Sequence, residues 1–164
     1  MNSKLMLSAA AAACIALLSA CATTPEPAPP VEDATPLPST FLERLSADGL
    51  FAFGKSGIDD LSEEGRVALD ELSARLAARP VEIVHVIGHS DRIGSTVAIH
   101  RVSSERANAV RDYLVERGVA EERITAVGRG AVAPVVECDG GSSQEAIDCL
   151  APNRRVEVRV QFAD

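Results

Sequence analysis

A chain of 164 residues, 46% hydrophobic and 24% charged, has room for one domain plus extensions. Its formal charge is −8, from 16 Lys and Arg against 24 Asp and Glu. That balance excludes nucleic acid, whose binding rests on basic patches that neutralise phosphates, and it excludes a polybasic anchor to a membrane surface.

The first residues do not read as part of the domain. Lys4 supplies a charged start, residues 5–17 form an apolar segment of 13 residues, too short to span a bilayer, and Leu18-Ser19-Ala20-Cys21 places small residues before a cysteine. The tetrad is similar to a bacterial lipobox, which implies cleavage before Cys21, diacylation of its thiol and acylation of the new amine. The alternative is an ordinary secretory signal with an incidental cysteine. Ala22, where an aspartate would signal retention, implies by the same resemblance the outer membrane. Loss of Lys4 with the leader leaves 15 Lys and Arg against 24 Asp and Glu, or −9. Membrane attachment is then expected through acyl chains, and three of them exceed the two signals that stable anchoring takes.

Residues 22–39 hold Thr-Thr-Pro-Glu-Pro-Ala-Pro-Pro and Thr-Pro-Leu-Pro, a Pro-rich tether without apolar periodicity. Fully extended as polyproline II, it would reach on the order of 55 Å; otherwise it is a passive linker of no particular length. The expected division is a leader over residues 1–20, a lipidated Cys21 with its tether to residue 39, and a domain over residues 40–164.

Within that domain, Thr40 to Ala47 reads as a short helix or lead-in, and Leu50-Phe51-Ala52-Phe53 as a first strand ended by Gly54. Ser62 is placed to cap a helix with Glu63 and Glu64 in its first turn and Leu61, Ala68, Leu69, Leu72 and Leu76 on one face, stopped by Pro80. Val81 to Gly88 is a mostly apolar strand. A helix follows from about Ser95 to Arg117. At 100° per residue it gathers Val102, Arg106, Ala109, Val110, Tyr113 and Leu114 on one face, with Arg101, Ser104, Asn108, Arg111 and Asp112 opposite. Ile124 to Gly128 gives a third strand. Val156, Val158, Val160 and Phe162 alternate with Glu157, Arg159 and Gln161 in a half-exposed fourth. The order β-α-β-α-β, loop, β implies an α/β (α+β) sandwich with helices packed on a mixed four-stranded sheet.

Arg106 lies on the apolar stripe of its helix, where a guanidinium needs a carboxylate partner or a ligand. Asp91, in the Gly-marked turn Gly88-His89-Ser90-Asp91-Arg92-Ile93-Gly94, is the nearest candidate in sequence, so an acid and a base would meet at one pocket mouth. The two readings are a ligand clamp and a structural ion pair fixing strand to helix. Arg154 shares its parity with Val156 and Val158 and is expected near the pocket as a supporting cation, whereas Arg155 should face out.

Four pieces of the sequence resemble the OmpA-like peptidoglycan-binding domain: Gly88-His89-Ser90-Asp91, Val102-Ser103-Ser104-Glu105-Arg106-Ala107, Gly128-Arg129-Gly130 and Asn153-Arg154-Arg155-Val156-Glu157. They stand in the family's order at compatible spacing, and the resemblance covers roughly residues 50–162. It implies as ligand the diaminopimelate of a peptidoglycan stem peptide, a side chain that ends in both an ammonium and a carboxylate. Asp91 would accept from the ammonium, Arg106 would donate a planar fork to the carboxylate, and the first N–H groups of the helix near Gly94 would face the same anion. Ser90 replaces the family's usual threonine, Ala98-Ile99 stand where an aromatic residue and an asparagine are common, and Gly54 follows the first strand where an acid often sits.

Cysteine usage agrees with export. Cys14 departs with the leader and Cys21 carries lipid, which leaves Cys138 and Cys149 as one pair in an oxidising periplasm. Bridging so short a loop is worth roughly 3 kcal/mol in the chain-entropy model. Two thiols without a neighbouring histidine do not suggest zinc, and no metal or other cofactor is expected. His85 and His89, about 13 Å apart on an extended strand, are too far apart to share an ion. Without a free thiol or a Gly-x-Ser-x-Gly elbow, no nucleophile is in evidence. The expectation is a non-enzymatic outer-membrane lipoprotein that ties the envelope to peptidoglycan. The alternatives are a Tol-system peptidoglycan-associated lipoprotein with further envelope proteins as partners, and a structural adaptor with a degenerate pocket.

Overall fold

The computed structural model describes residues 38–52 and 54–163. The expected leader, Cys21 and most of the Pro-rich tether lie outside the described residues. Four strands form one sheet: β1 (Thr40–Ser46), β2 (Val81–Gly88), β3 (Ile124–Gly128) and β4 (Arg155–Phe162), in spatial order β1-β4-β2-β3. β4 runs antiparallel to β1 and β2, while β2 and β3 are parallel. A parallel pair requires a crossover, and the 21-residue helix α3, named here after the single turn α1 (Ala47–Leu50) and helix α2 (Glu63–Ala77), supplies it over Thr96–Glu116. A short helix α4 (Gln144–Cys149) precedes β4. The architecture is the mixed α+β sandwich that the sequence implies.

Both long helices start where their caps dictate. Ser62 Oγ accepts the Gly65 N–H at 2.8 Å, and Ser95 Oγ accepts the Ala98 N–H at 3.2 Å. Leu69, Leu72 and Leu76 of α2 and Ala107, Val110 and Leu114 of α3 then pack on Val84, Val86, Val156, Val158 and Val160 of the sheet. Two glycines let α3 approach the sheet closely. Gly88 and Gly128 are register partners in the β2–β3 pair, and a Cβ on either would collide with the backbone of Ser103 or Ser104.

The first strand lies earlier than the sequence suggests. Phe41, Leu42 and Leu45 have a helical spacing, yet Thr40–Ser46 is an edge strand in which Phe41 stacks on Phe162 at 5.7 Å between ring centroids while Leu42 faces out. Leu50 closes α1 instead of opening a strand, and Phe51 makes only an isolated bridge to Leu61. The hydrogen-bonding capacity of β4 decides the matter, because its edge offers seven register partners to Thr40–Ser46.

The face of the sheet away from the helices also departs from expectation. Arg155 does point away from Val156, but it is only 7% exposed, and Glu157, expected in the half-exposed row, is 4% exposed. Arg155 Nε donates to Glu157 Oε1 at 2.9 Å and Arg159 Nη2 to Oε2 at 2.9 Å, with Arg44 at 3.7 Å. Arg155 Nη2 also reaches the Ala133 carbonyl, so the segment after β3 covers this end of the strand. His89, 3% exposed, stands 4.0 Å from Glu157. Burial and the neighbouring Arg155 charge hold its imidazole below the usual range, so it is neutral at pH 7.

Burial alone would raise the Glu157 carboxyl, but hydrogen bonds from Arg159 and Arg155 outweigh it and bring the group down to about 2 from 4.5. The folded value is the lower one. Its stabilisation is therefore complete above about pH 4.5 and is lost as pH falls toward 2, a loss on the order of 3 kcal/mol. Urea unfolding across that window should show the loss in the wild type and a flatter profile in Glu157→Gln. Parallel profiles would place the acid sensitivity elsewhere.

The two ends of the sheet differ in what they carry. Phe162 N–H bonds the Ser39 carbonyl at 2.8 Å, and Ala163 N–H bonds the Pro80 carbonyl at 2.9 Å, so the domain's first residue, the start of β2 and the end of β4 sit together. Gly88 and the turn after it lie at the other end of the eight-residue β2, about 25 Å away.

Candidate functional site

At that far end a pocket of about 470 Å³ opens between the β2–α3 turn, the first turns of α3, the segment after α1, and α4. Ala52, Ile93, Ala98, Ile99, Val102 and Ile147 give it apolar walls, and its charges come from Asp48, Asp91, Arg106 and Arg154. Two acids and two bases leave it formally neutral.

Asp91, 7% exposed, is fixed by its own turn and by Arg154, the residue before β4. Its Oδ1 accepts the Ile93 N–H at 2.9 Å, and its Oδ2 accepts Arg154 Nη1 at 2.8 Å. The turn is held on both sides, since His89 N–H bonds the Arg155 carbonyl and Ser90 N–H bonds the Gly130 carbonyl. Ser103 Oγ in turn accepts the Gly130 N–H at 3.0 Å. The Gly-x-Gly piece thus serves as backbone support for the acidic turn.

Arg154 reads two carboxylates. Its Nε and Nη2 donate to Asp48 at 3.0 and 2.7 Å, and its Nη1 is shared between Asp91 and the Ile147 carbonyl at 2.9 Å. Hydrogen bonding to Asp48 comes first in raising this guanidinium above its ordinary value, against burial, with Asp91 adding to it.

Arg106 is different. It is 7% exposed and, among the described residues, forms no ion pair. Its Nε and Nη2 donate to the Lys55 carbonyl at 3.3 and 3.2 Å, and its guanidinium lies 5.6 Å from the Phe51 ring centroid. Burial pushes it below its usual value while Asp48 and Asp91 pull it back, and an arginine so placed remains a cation. The structural pair between Asp91 and Arg106 is therefore not formed: Asp91 takes Arg154, and both Asp91 and Arg106 line the same pocket.

Asp91, Arg106 and Arg154, singled out in the sequence, meet here. Gly94 does not line the pocket; with φ +123° it turns the chain toward Ser95, and Ile93 takes the wall position. The helix proper begins at Thr96, and Ser95 already occupies the Ala98 N–H. Asp48, Phe51 and Ile147 were not anticipated. Asp48 lies 106 positions from its partner Arg154, so no local pattern signals it. Cys138 and Cys149 form the expected disulfide. His85 is exposed beside Thr125, and β2 ends at Gly88, so His89 lies in the turn beyond the strand that holds His85.

The pocket thus combines apolar walls with separate anionic and cationic groups whose formal charges sum to zero. The comparisons with known proteins identify the family of the chain. The OmpA family profile matches residues 50–148, and the chain belongs to that family. It is 44% identical over 122 residues to outer membrane protein A of Shimwellia blattae, covering 71% of this chain and 49% of that protein. The corresponding protein of Yersinia pseudotuberculosis is 40% identical over 143 residues, covering 82% of this chain and 40% of the relative. The chain thus spans less than half the length of these curated relatives. Among solved structures, the cell wall anchor of the T6SS from Pseudomonas aeruginosa superposes with a TM-score of 0.60 at 30% identity, covering 76% of this chain and 82% of that one. The domain is of the OmpA-like peptidoglycan-binding kind and is non-enzymatic.

Proposed function

We propose that the domain holds the side-chain terminus of diaminopimelate in a peptidoglycan stem peptide, and that the protein is an outer-membrane lipoprotein tying the envelope to the wall. The observation that carries this reading is Arg106: a buried cation without a carboxylate partner among the described residues, in a pocket that also presents Asp91. A ligand carboxylate supplies what Arg106 lacks, through charge-assisted hydrogen bonds. The ligand ammonium has Asp91 and Asp48 as acceptors, both already oriented by Arg154. The methylene chain between the two ends of the ligand suits the walls of Ile93, Ile99, Val102 and Ile147. Lysine offers no side-chain carboxylate and leaves Arg106 unpaired, so lysine-type wall is disfavoured by the cost of an unsatisfied buried donor.

The test is retention of the full chain in detergent on purified sacculi. Diaminopimelate-type sacculi should retain it, free diaminopimelate should compete, and lysine blocked at its α-amino and α-carboxyl groups should compete poorly. Equal competition by the blocked lysine would remove Arg106 from the reading. The anchoring half of the proposal rests on Leu18-Ser19-Ala20-Cys21 and is tested separately. Cys21→Ser should accumulate as an unacylated precursor absent from outer-membrane fractions, and radiolabelled fatty acid still entering that variant would contradict lipidation at this position.

A further inference from the structure

We propose that the Cys138–Cys149 disulfide is a positioning element of the pocket, acting on the half that receives the ligand's ammonium. The inference rests on the ligand reading above. Both ends of the disulfide loop are tied to the Asp91 turn. At one end, Arg92, the residue after Asp91, donates through Nη2 to the Cys138 carbonyl at 2.7 Å. At the other, Ile147 stands two positions before Cys149, its side chain lines the pocket, and its carbonyl takes Arg154 Nη1 at 2.9 Å. That same Nη1 holds Asp91 Oδ2. The covalent link between Cys138 and Cys149 closes this circuit, from Asp91 through Arg92, Cys138, Cys149, Ile147 and Arg154 back to Asp91.

Breaking the bond opens the circuit without removing a pocket residue. The base of the loop has a second fastening: Asn153 Oδ1 accepts the Val135 and Val136 N–H groups at 2.7 and 3.1 Å, and its Nδ2 donates to the Val136 carbonyl at 2.8 Å. Leu150 and Ala146 are buried at 1% and 2% exposure. The α4 segment therefore stays against the domain when the disulfide is gone, but the Ile147 carbonyl and its side chain are no longer fixed at the distance that Arg154 and Asp91 need. Arg106 belongs to α3 and is bonded to the Lys55 carbonyl, outside the circuit. The disulfide should thus govern affinity for the ammonium and leave the carboxylate contact alone.

Two soluble probes separate these effects: diaminopimelate, and pimelate, which keeps both carboxylates and lacks both ammonium groups. Calorimetry on the oxidised full chain establishes whether diaminopimelate binds more tightly than pimelate; absence of diaminopimelate binding there counts against the proposed function and not against the disulfide specifically. Given that preference, Cys138→Ser/Cys149→Ser should raise the diaminopimelate Kd about tenfold and the pimelate Kd far less, with circular dichroism showing a folded domain at the temperature used. Wild type reduced by a dithiol, which takes the two electrons and two protons to the cysteine sulfurs and leaves as its own cyclic disulfide, should behave alike and recover on reoxidation. An unchanged diaminopimelate Kd in a folded variant overturns the proposal, and so does an equal rise for both probes, which would mean general loosening. If neither disulfide-free form stays folded, Arg92→Ala unties the loop from the Asp91 turn with the bond intact. It should reproduce the selective loss in weaker form, and unchanged selectivity there overturns the proposal.

Discussion

Arg106→Ala is expected to cut retention on diaminopimelate-type sacculi by at least about 100-fold, equivalent to about 2.7 kcal/mol, while moving the melting temperature by only a few degrees. The two expectations come from different neighbours of the same side chain. Within the protein, Arg106 gives up a forked hydrogen bond to one carbonyl and a contact with the Phe51 ring, together worth roughly 1 to 2 kcal/mol. Because no carboxylate among the described residues pairs with it, no buried charge there is stranded by its removal. A buried ion pair would have cost roughly 3 to 5 kcal/mol when broken from one side. Asp91→Asn should behave similarly, since the amide oxygen still accepts the Ile93 N–H and Arg154 keeps both bonds to Asp48 that come from Nε and Nη2. Melting temperature and sacculus retention measured on the same preparations decide between these accounts. A folded Arg106→Ala protein with wild-type retention would refute the clamp.

The largest effect on stability is expected from a single methyl group. Gly88→Ala and Gly128→Ala should each destabilise the fold by more than about 4 kcal/mol, at the far end of what point substitutions do. At Gly88 the new Cβ meets the Ser103 carbonyl, and at Gly128 it meets the Ser104 backbone nitrogen and hydroxyl. At both positions the obstacle includes backbone that cannot rotate away. Both obstacles belong to the middle of α3, so relief requires lifting that helix from the β2–β3 pair and with it Arg106, three residues beyond Ser103. Gly49→Ala is the control: its Cβ would have nothing nearer than the Ser46 Cβ at 3.8 Å, and it sits in a helical turn. Chemical denaturation should find it neutral or slightly more stable. A Gly88→Ala protein of wild-type stability would show that the helix has slack at this crossing.

Residues whose surroundings are set by their own neighbours in sequence were legible. The bounds of β2 and β3, the cap at Ser62, and the buried face of α3 all follow from short-range periodicity and hydrogen-bonding chemistry. Misreadings arose where a distant segment decides. Thr40–Ser46 has a sequence compatible with a helical turn and becomes a strand because β4, more than 100 positions later, offers an edge. Glu157 reads as solvent-facing by alternation, yet three arginines and the segment after β3 enclose it. In the site, Arg106 was conspicuous as a cation on an apolar stripe and Asp91 as an acid in a Gly-bounded turn. Their relation was not legible, because the partner that takes Asp91 arrives from the residue before β4 and the second acid, Asp48, from α1.

The separation of chain entry and pocket has a mechanical consequence. β1 begins at the end of the sheet where β2 begins, and the pocket lies where β2 ends. Tension between residue 38 and a ligand seated beside Asp91 and Arg106 therefore runs along the strand axes. Pulled in that direction, β1 must slide past β4, which strains all the bonds of their seven-residue ladder together, since those bonds lie across the strands. Had the chain entered beside the pocket, the same force would have peeled β1 away one bond at a time. The antiparallel placement of the edge strand thus puts the domain in its shear-resistant orientation for any pull between its N-terminal end and its ligand.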